Sequence, residues 1–150
     1  MYTHLLVPVD GSDSAKRAVQ AAADLAERYG ATLTLIHVLT QSGSRAVPED
    51  LKAYTKLEHI RVTEHDLIQG AGKEILNAAE TLARGNGAKT CKAVLMTGDP
   101  ATCITDYIDK NGVDLIVMGR RGLGDFSGVF LGSVSHKVAQ ASDCSCLTVK

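Results

Sequence analysis

The chain has 150 residues, 45% of them apolar and 22% charged, with a formal net charge of -1 at pH 7. That length suits one compact core and is too short for two full domains, and the charge balance supplies no broad basic field for nucleic acid or an acidic membrane surface. No apolar run approaches the ~20 residues of a membrane span, and residues 1–4 lead straight into a short strand with neither a basic nor a long apolar leader region, so a single cytoplasmic domain with no membrane insertion is expected.

Residues 4–9, His4-Leu-Leu-Val-Pro-Val9, read as a central parallel strand buried on both faces. Pro8 has no N–H to give a ladder and belongs at the strand's end. Asp10-Gly-Ser-Asp-Ser14 supplies a turn and a helix cap, after which Ala15, Ala18, Val19, Ala22, Leu25, Ala26 and Tyr29 recur at helical spacing up to Gly30. Residues 31–38 alternate and are β-rich, giving the second strand and a right-handed crossover. Residues 40–69 carry a weaker signal: a loop-like start, then helical propensity over 49–62 with a mixed face. His59 and Glu64-His65 in this stretch read as solvated polar residues, because nothing in their spacing demands a metal geometry. After Gly70-Ala-Gly72 a helix is expected, with Ile75, Leu76, Ala79, Leu82 and Ala83 on one stripe and a stop at Gly85-Asn-Gly87.

Residues 90–96 form the third strand. Asp99-Pro100 then caps a helix whose apolar face is Ala101, Ile104, Tyr107 and Ile108, closed by Asn111-Gly112. Residues 113–118 form the fourth strand, a helix is expected over 135–141, and residues 144–149 form the fifth strand. This order predicts an α/β fold, a Rossmann-like doubly wound five-stranded parallel sheet with about four helices. Cys91, Cys103, Cys144 and Cys146 show no disulfide-framework spacing, and Cys144-Ser-Cys146 lacks the two-residue spacer of the usual redox pair, so buried reduced thiols are expected.

Between the fourth strand and the last helix lies a glycine-studded loop, Gly119-Arg-Arg-Gly122 through Gly132-Ser-Val-Ser135. A strand that passes through glycines into a helix start is the sequence form of an anion site. The first turn of a helix leaves N–H groups without intrahelical partners, and the helix dipole favours negative charge there. Glycine admits close backbone approach and positive φ, while Ser133 and Ser135 bring hydroxyls; Arg120 and Arg121 add charge that faces either phosphate or solvent. Other phosphate motifs are absent. Leu67 stands where a Walker A glycine would precede Gly72-Lys73, no Ser or Thr follows Lys73, and the turn after the first strand is not G-x-G-x-x-G, which disfavours NAD and FAD.

The spacing Gly119-x2-Gly122-x9-Gly132-Ser133 resembles that of the ATP-binding universal stress proteins. Four more segments in the same order extend the resemblance over nearly the whole chain: residues 5–12, Gly98-Asp99-Pro100, residues 113–122, and the closing strand after Cys144. It implies an adenine nucleotide alpha hydrolase-like fold. Pro8, Val9 and Asp10 would line the adenosine end, with Val38 beside the base, Met118 and Gly119 near the ribose, and Gly122, Gly132, Ser133, Val134 and Ser135 around the phosphates; Arg120 is added as a candidate phosphate contact. ATP with Mg or Mn is the implied ligand, bound without metal-ligating side chains, and a homodimer through residues 147–149 is the implied assembly. Two residues depart from the family pattern: Asp125 puts a negative charge in the loop, and Ser145 replaces the usual proline.

A complete loop without an evident water-activating group favours a regulatory nucleotide-binding protein, in which ATP orders residues 119–132 and alters the dimer or the surface offered to an unidentified protein partner. No catalytic residues are assigned, and at most a weak ATPase activity is expected. The alternatives are a slow ATPase or nucleotide hydrolase, since phosphoryl transfer rests mainly on positioning and electrostatics, and an interaction module that binds no nucleotide.

Overall fold

The computed structural model describes residues 1–40, 63–123 and 131–150; the helical propensity read over 49–62, His59 and Asp125 lie outside them. Five strands, β1 (His4–Pro8), β2 (Thr32–Leu39), β3 (Thr90–Thr97), β4 (Leu115–Gly119) and β5 (Ser145–Val149), form one sheet in the order β3-β2-β1-β4-β5. Every neighbouring pair is parallel. The chain moves outward from β1 to β3 on one side, then returns to β4 and moves outward to β5 on the other. The order therefore reverses between β1 and β4, and a crevice opens at their carboxyl ends, where sheets of this kind bind ligands.

Alternation along the strands divides the core in two. Leu5, Val7, Leu33, Leu35, Leu115 and Val117 face α1 (Asp13–Tyr29) and α2 (Glu64–Gly85). Leu6, Ile36, Ile116 and Met118 face α3 (Pro100–Asn111) and α4 (Ser133–Ala141). The alanines at 18, 22, 23 and 26 are fully or almost fully buried, which lets α1 lie close to the sheet.

Helix starts follow the expected chemistry with two corrections. Ser12 caps α1 by accepting from Ala15 N at 3.2 Å, and Asp99 caps α3 by accepting from Thr102 N at 3.0 Å, with Pro100 in the first turn. Helix α2 begins at Glu64, two turns before the glycines expected to precede it, because Thr63 and Asp66 form a reciprocal capping box. Gly72 has a packing reason to stand inside the helix, since a Cβ there would lie 2.9 Å from Leu39 Cδ2 and 3.0 Å from Leu95 Cδ1, whereas Gly70 has nothing within 4 Å. Helix α4 begins at Ser133, two residues earlier than the apolar periodicity indicated, with Gly132 at its cap.

At the opposite end of the sheet, Asp114 ties the chain's start to β4. Its carboxylate accepts from Thr3 N and Thr3 Oγ1 at 2.8 Å each and from His4 N at 3.2 Å. Burial raises the carboxyl's pKa, but these hydrogen bonds outweigh it and hold the group below the usual range. A depressed folded-state pKa contributes stability that is present above the unfolded value of about 3.9 and is lost as pH falls through the folded value. An Asp114→Asn variant is thus expected to melt below the wild type at pH 7, with the gap closing in acid; equal melting temperatures at pH 7 would remove the latch role.

Candidate functional site

The crevice at the switch point is a cleft of about 470 Å3. Of the twelve residues assigned from the sequence, eleven line it: Pro8, Val9, Asp10, Val38, Met118, Gly119, Gly122, Gly132, Ser133, Val134 and Ser135. Arg120 does not; it lines a neighbouring hollow, and Arg121 reaches the cleft instead.

The exits of β1 and β4 are locked together by short polar contacts. Asp10 Oδ1 accepts from Ser12 N at 2.9 Å, closing a turn in which Gly11 takes a φ of 84°, open to glycine at little cost. Ser14, buried in the first turn of α1, donates its hydroxyl to the Arg121 carbonyl. Arg120 N donates to Val149 O at 2.7 Å, and Gly132 N donates to Arg120 O at 2.8 Å, bringing the start of α4 against the end of β4.

The loop glycines have distinct reasons to be glycine, and positive φ is not among them for Gly119, Gly122 or Gly132. Gly119 is needed by the fold. A Cβ there would lie 2.5 Å from Ser14 Oγ, 2.8 Å from Ser14 C and 2.9 Å from Ala15 N, so α1 can pack on β4 only against a bare Cα. At Gly122 the close contact would be the movable Asp10 carboxylate, with Oδ2 at 2.5 Å. At Gly132 the nearest atoms are 3.5 Å away or more, which is ordinary contact. Protein packing does not forbid a side chain at Gly132, yet it edges the cleft.

Helix α4 differs from the other three helices among the described residues. Ser12, Thr63 and Asp99 each satisfy an N–H at the start of α1, α2 and α3; the cap of α4 is Gly132, with no side-chain hydrogen bond. The first-turn N–H groups of Ser133, Val134 and Ser135 have no acceptor within the helix, and these residues line the cleft. Ser133 is exposed. The Ser135 hydroxyl, in contrast, is buried and donates to Gly132 O at 3.0 Å and Arg120 O at 3.3 Å, so it braces the loop.

The other end of the cleft is built by residues that sequence reasoning did not select. Ile68, Ala71, Gly72 and Ile75 come from α2, Pro100 and Ile104 from α3, and His37 from β2. His37 Nδ1 is 2.7 Å from Val9 O, and since a carbonyl oxygen only accepts, this nitrogen is the donor. The pairing was visible in part: His37 precedes Val38 at the carboxyl end of a strand expected to lie beside β1. Val9, Val38 and the α2 residues give this end of the cleft an apolar lining. Asp10 is the one carboxylate among the described residues lining the cleft.

The four cysteines are free, but the expected burial holds in full only for Cys103: Cys91 and Cys144 are half-buried and Cys146 is exposed. Desolvation pushes the Cys144 thiol up, as it does Cys103, and desolvation followed by the neighbouring Cys144 raises Cys146. Higher thiol pKa values lower the reactive thiolate fraction.

A profile of the universal stress protein family matches residues 1–150. The chain belongs to the universal stress protein family. It is 34% identical over 156 residues to universal stress protein YxiE of Bacillus subtilis, each chain being covered in full. The solved structure of universal stress protein UspA from Lactobacillus plantarum superposes with a TM-score of 0.79 at 27% identity, covering 99% of this chain and 98% of that one. A universal stress protein from Archaeoglobus fulgidus, solved in complex with dAMP, gives a TM-score of 0.70 at 25% identity, covering 99% of this chain and 98% of that one. The fold and family expected from the sequence thus hold, and the fold is the one these structures share.

Proposed function

We propose that this universal stress protein is a regulatory adenine-nucleotide-binding protein, with ATP as its ligand. The observation that carries the reading is the start of α4, which lacks a side-chain cap and lies at the cleft edge where Gly132 has no close neighbour and leaves room for an anion. A phosphate there would accept from the amides of Ser133, Val134 and Ser135 in the favourable field of the helix dipole. The base would lie toward Val9, His37 and Val38, with Asp10 accepting from a ribose hydroxyl or a base amine. That the Archaeoglobus fulgidus relative was solved in complex with dAMP supports an adenylate as the ligand.

Mg or Mn belongs to the same proposal. The cleft offers the carboxylate of Asp10 and hydroxyls but no His or Cys cluster, and among the described residues no group of three or more His, Cys, Asp or Glu could hold a metal ion. Such a donor set fits a hard cation carried in on phosphate oxygens, where it would offset the charge of Asp10 against the phosphates. Titration calorimetry tests both parts: saturable ATP binding, weakened when Mg is removed, is expected. No heat at millimolar nucleotide would end the reading.

The regulatory step would be ordering of the loop over 119–132 by the nucleotide, read by a protein partner or by a second copy. Among the described residues β5 pairs on one side only, with β4, and Leu147 is exposed, so the other side of the strand is suited to a homodimer. Sedimentation at tens of micromolar protein is expected to give the mass of two chains; a monomer with and without ATP would exclude this assembly.

A further inference from the structure

The segment Cys144-Ser-Cys146 lines neither the cleft nor the hollow beside it, and the adenylate reading makes no use of it. Its two thiols share one face of the sheet. Cys146 stands opposite Ile116 in the register of β4 and β5, and Ile116 belongs to the core under α3 and α4. Cys144, directly before β5, packs against that same core. Ser145 between them lies in β5, and its N–H donates to Asp114 O at 3.2 Å, which holds it in the ladder and fixes the spacing of its two neighbours. A proline here could not make that bond.

This spacing disfavours a disulfide. Residues two apart on an extended chain have Cα atoms about 6.6 Å apart with side chains pointing the same way, which is the far end of what a disulfide spans and lacks the converging Cβ atoms it needs. An ion between the sulfurs is a better match. At about 2.3 Å per metal–sulfur bond, two ligands in line place their sulfurs about 4.6 Å apart, a separation that rotation about the two Cα–Cβ bonds can supply. Among the described residues no group of three or more His, Cys, Asp or Glu could hold a metal ion, so the four ligands that zinc takes are not assembled here. Soft thiolates also select Cu(I), for which two ligands suffice.

The surroundings suit a thiolate once a cation is beside it. Desolvation is the largest influence on the Cys144 thiol and pushes its pKa up, while the Ser142 hydroxyl and the Ile116 and Cys144 amides bear on the sulfur and favour its ionised form. Ser142 Oγ is buried and has no partner of full hydrogen-bond geometry. A cation at the sulfur would offset the desolvation and give that hydroxyl an anionic acceptor. Cys146 is exposed, which gives the ion its way in.

We propose that Cys144 and Cys146 form a two-sulfur site for a soft monovalent cation, Cu(I), each thiol releasing its proton as its metal–sulfur bond forms. The site is independent of the nucleotide cleft. The test is an anaerobic competition in which the full chain, without any thiol reductant, withdraws Cu(I) from a chromogenic chelator. The wild type and Cys91→Ala should take one ion per chain with equal affinity. Cys146→Ser changes an exposed side chain and should weaken binding by more than the ~10–100-fold that follows loss of a supporting contact around a metal. Cu(I) should raise the melting temperature of the wild type and not of Cys146→Ser. In the wild type the ion should protect Cys144 and Cys146 together from alkylation by N-ethylmaleimide and leave Cys91 as reactive as before.

Failure to compete with the chelator, unchanged affinity in Cys146→Ser, or an equal loss in Cys91→Ala overturns the site. Protection of Cys146 alone, or one ion per two chains, overturns the pairing, because Cys146 then binds without Cys144 or bridges two copies.

Discussion

Gly119→Ala is expected to unfold the protein more readily while Gly122→Ala does not. The added Cβ at 119 meets backbone, Ser14 C at 2.8 Å and Ala15 N at 2.9 Å, and neither can move without lifting the start of α1 from β4. The same shift would strain the contacts between the Ser14 hydroxyl and the Arg121 carbonyl and between the buried alanine face of α1 and the sheet. Overpacking of this sort costs roughly 1–3 kcal/mol, or about 2–12 °C in Tm for a chain of this size. At Gly122 the obstacle is a carboxylate at the end of a side chain, which can rotate away. Thermal unfolding of the two variants checks this. Equal melting temperatures would mean that Gly119 is retained for ligand approach and not for helix packing.

Gly132→Val should give the complementary result. A Cβ at this position is in ordinary contact with its surroundings, its backbone is already in the extended region with φ of -63° and ψ of 159°, and valine adopts that conformation readily. Stability should change by no more than about 1 kcal/mol, the difference between glycine and an apolar residue at a helix cap. The branched side chain would, however, stand where a phosphate must reach the amides of Ser133 to Ser135. Nucleotide affinity is expected to fall at least tenfold, roughly the loss of one charge-assisted hydrogen bond. Retained affinity in a folded Gly132→Val protein would move the phosphate site away from α4.

The contrast between these two glycines shows what could and could not be read from the chain. Strand runs such as residues 4–9 and caps such as Asp99-Pro100 are local signals, and they led to the observed β1 and α3. The glycine loop was legible as a site because spacing and strand-to-helix transition are also local. The separate duties of Gly119 and Gly132 were not, since the demand at 119 comes from Ser14 and Ala15, more than a hundred residues earlier in the chain. For the same reason the contribution of α2 to the cleft escaped notice: Ile68, Ala71 and Gly72 precede the clear apolar stripe, and their position depends on the Thr63–Asp66 cap and on close packing against Leu39 and Leu95. Arg120 and Arg121 looked equivalent in sequence; the turn at the exit of β4 sends one to the hollow alone and brings the other to both.

Amide chemical shifts recorded while AMP is titrated into the full chain test the central claim most directly, because they report on individual N–H groups. The amides of Ser133, Val134 and Ser135 should shift downfield together and saturate with one dissociation constant, while that of Asp66 at the capped start of α2, away from the cleft, stays in place. Saturable binding that leaves the α4 amides unmoved, or no saturation at all, would contradict an anion site at the uncapped helix.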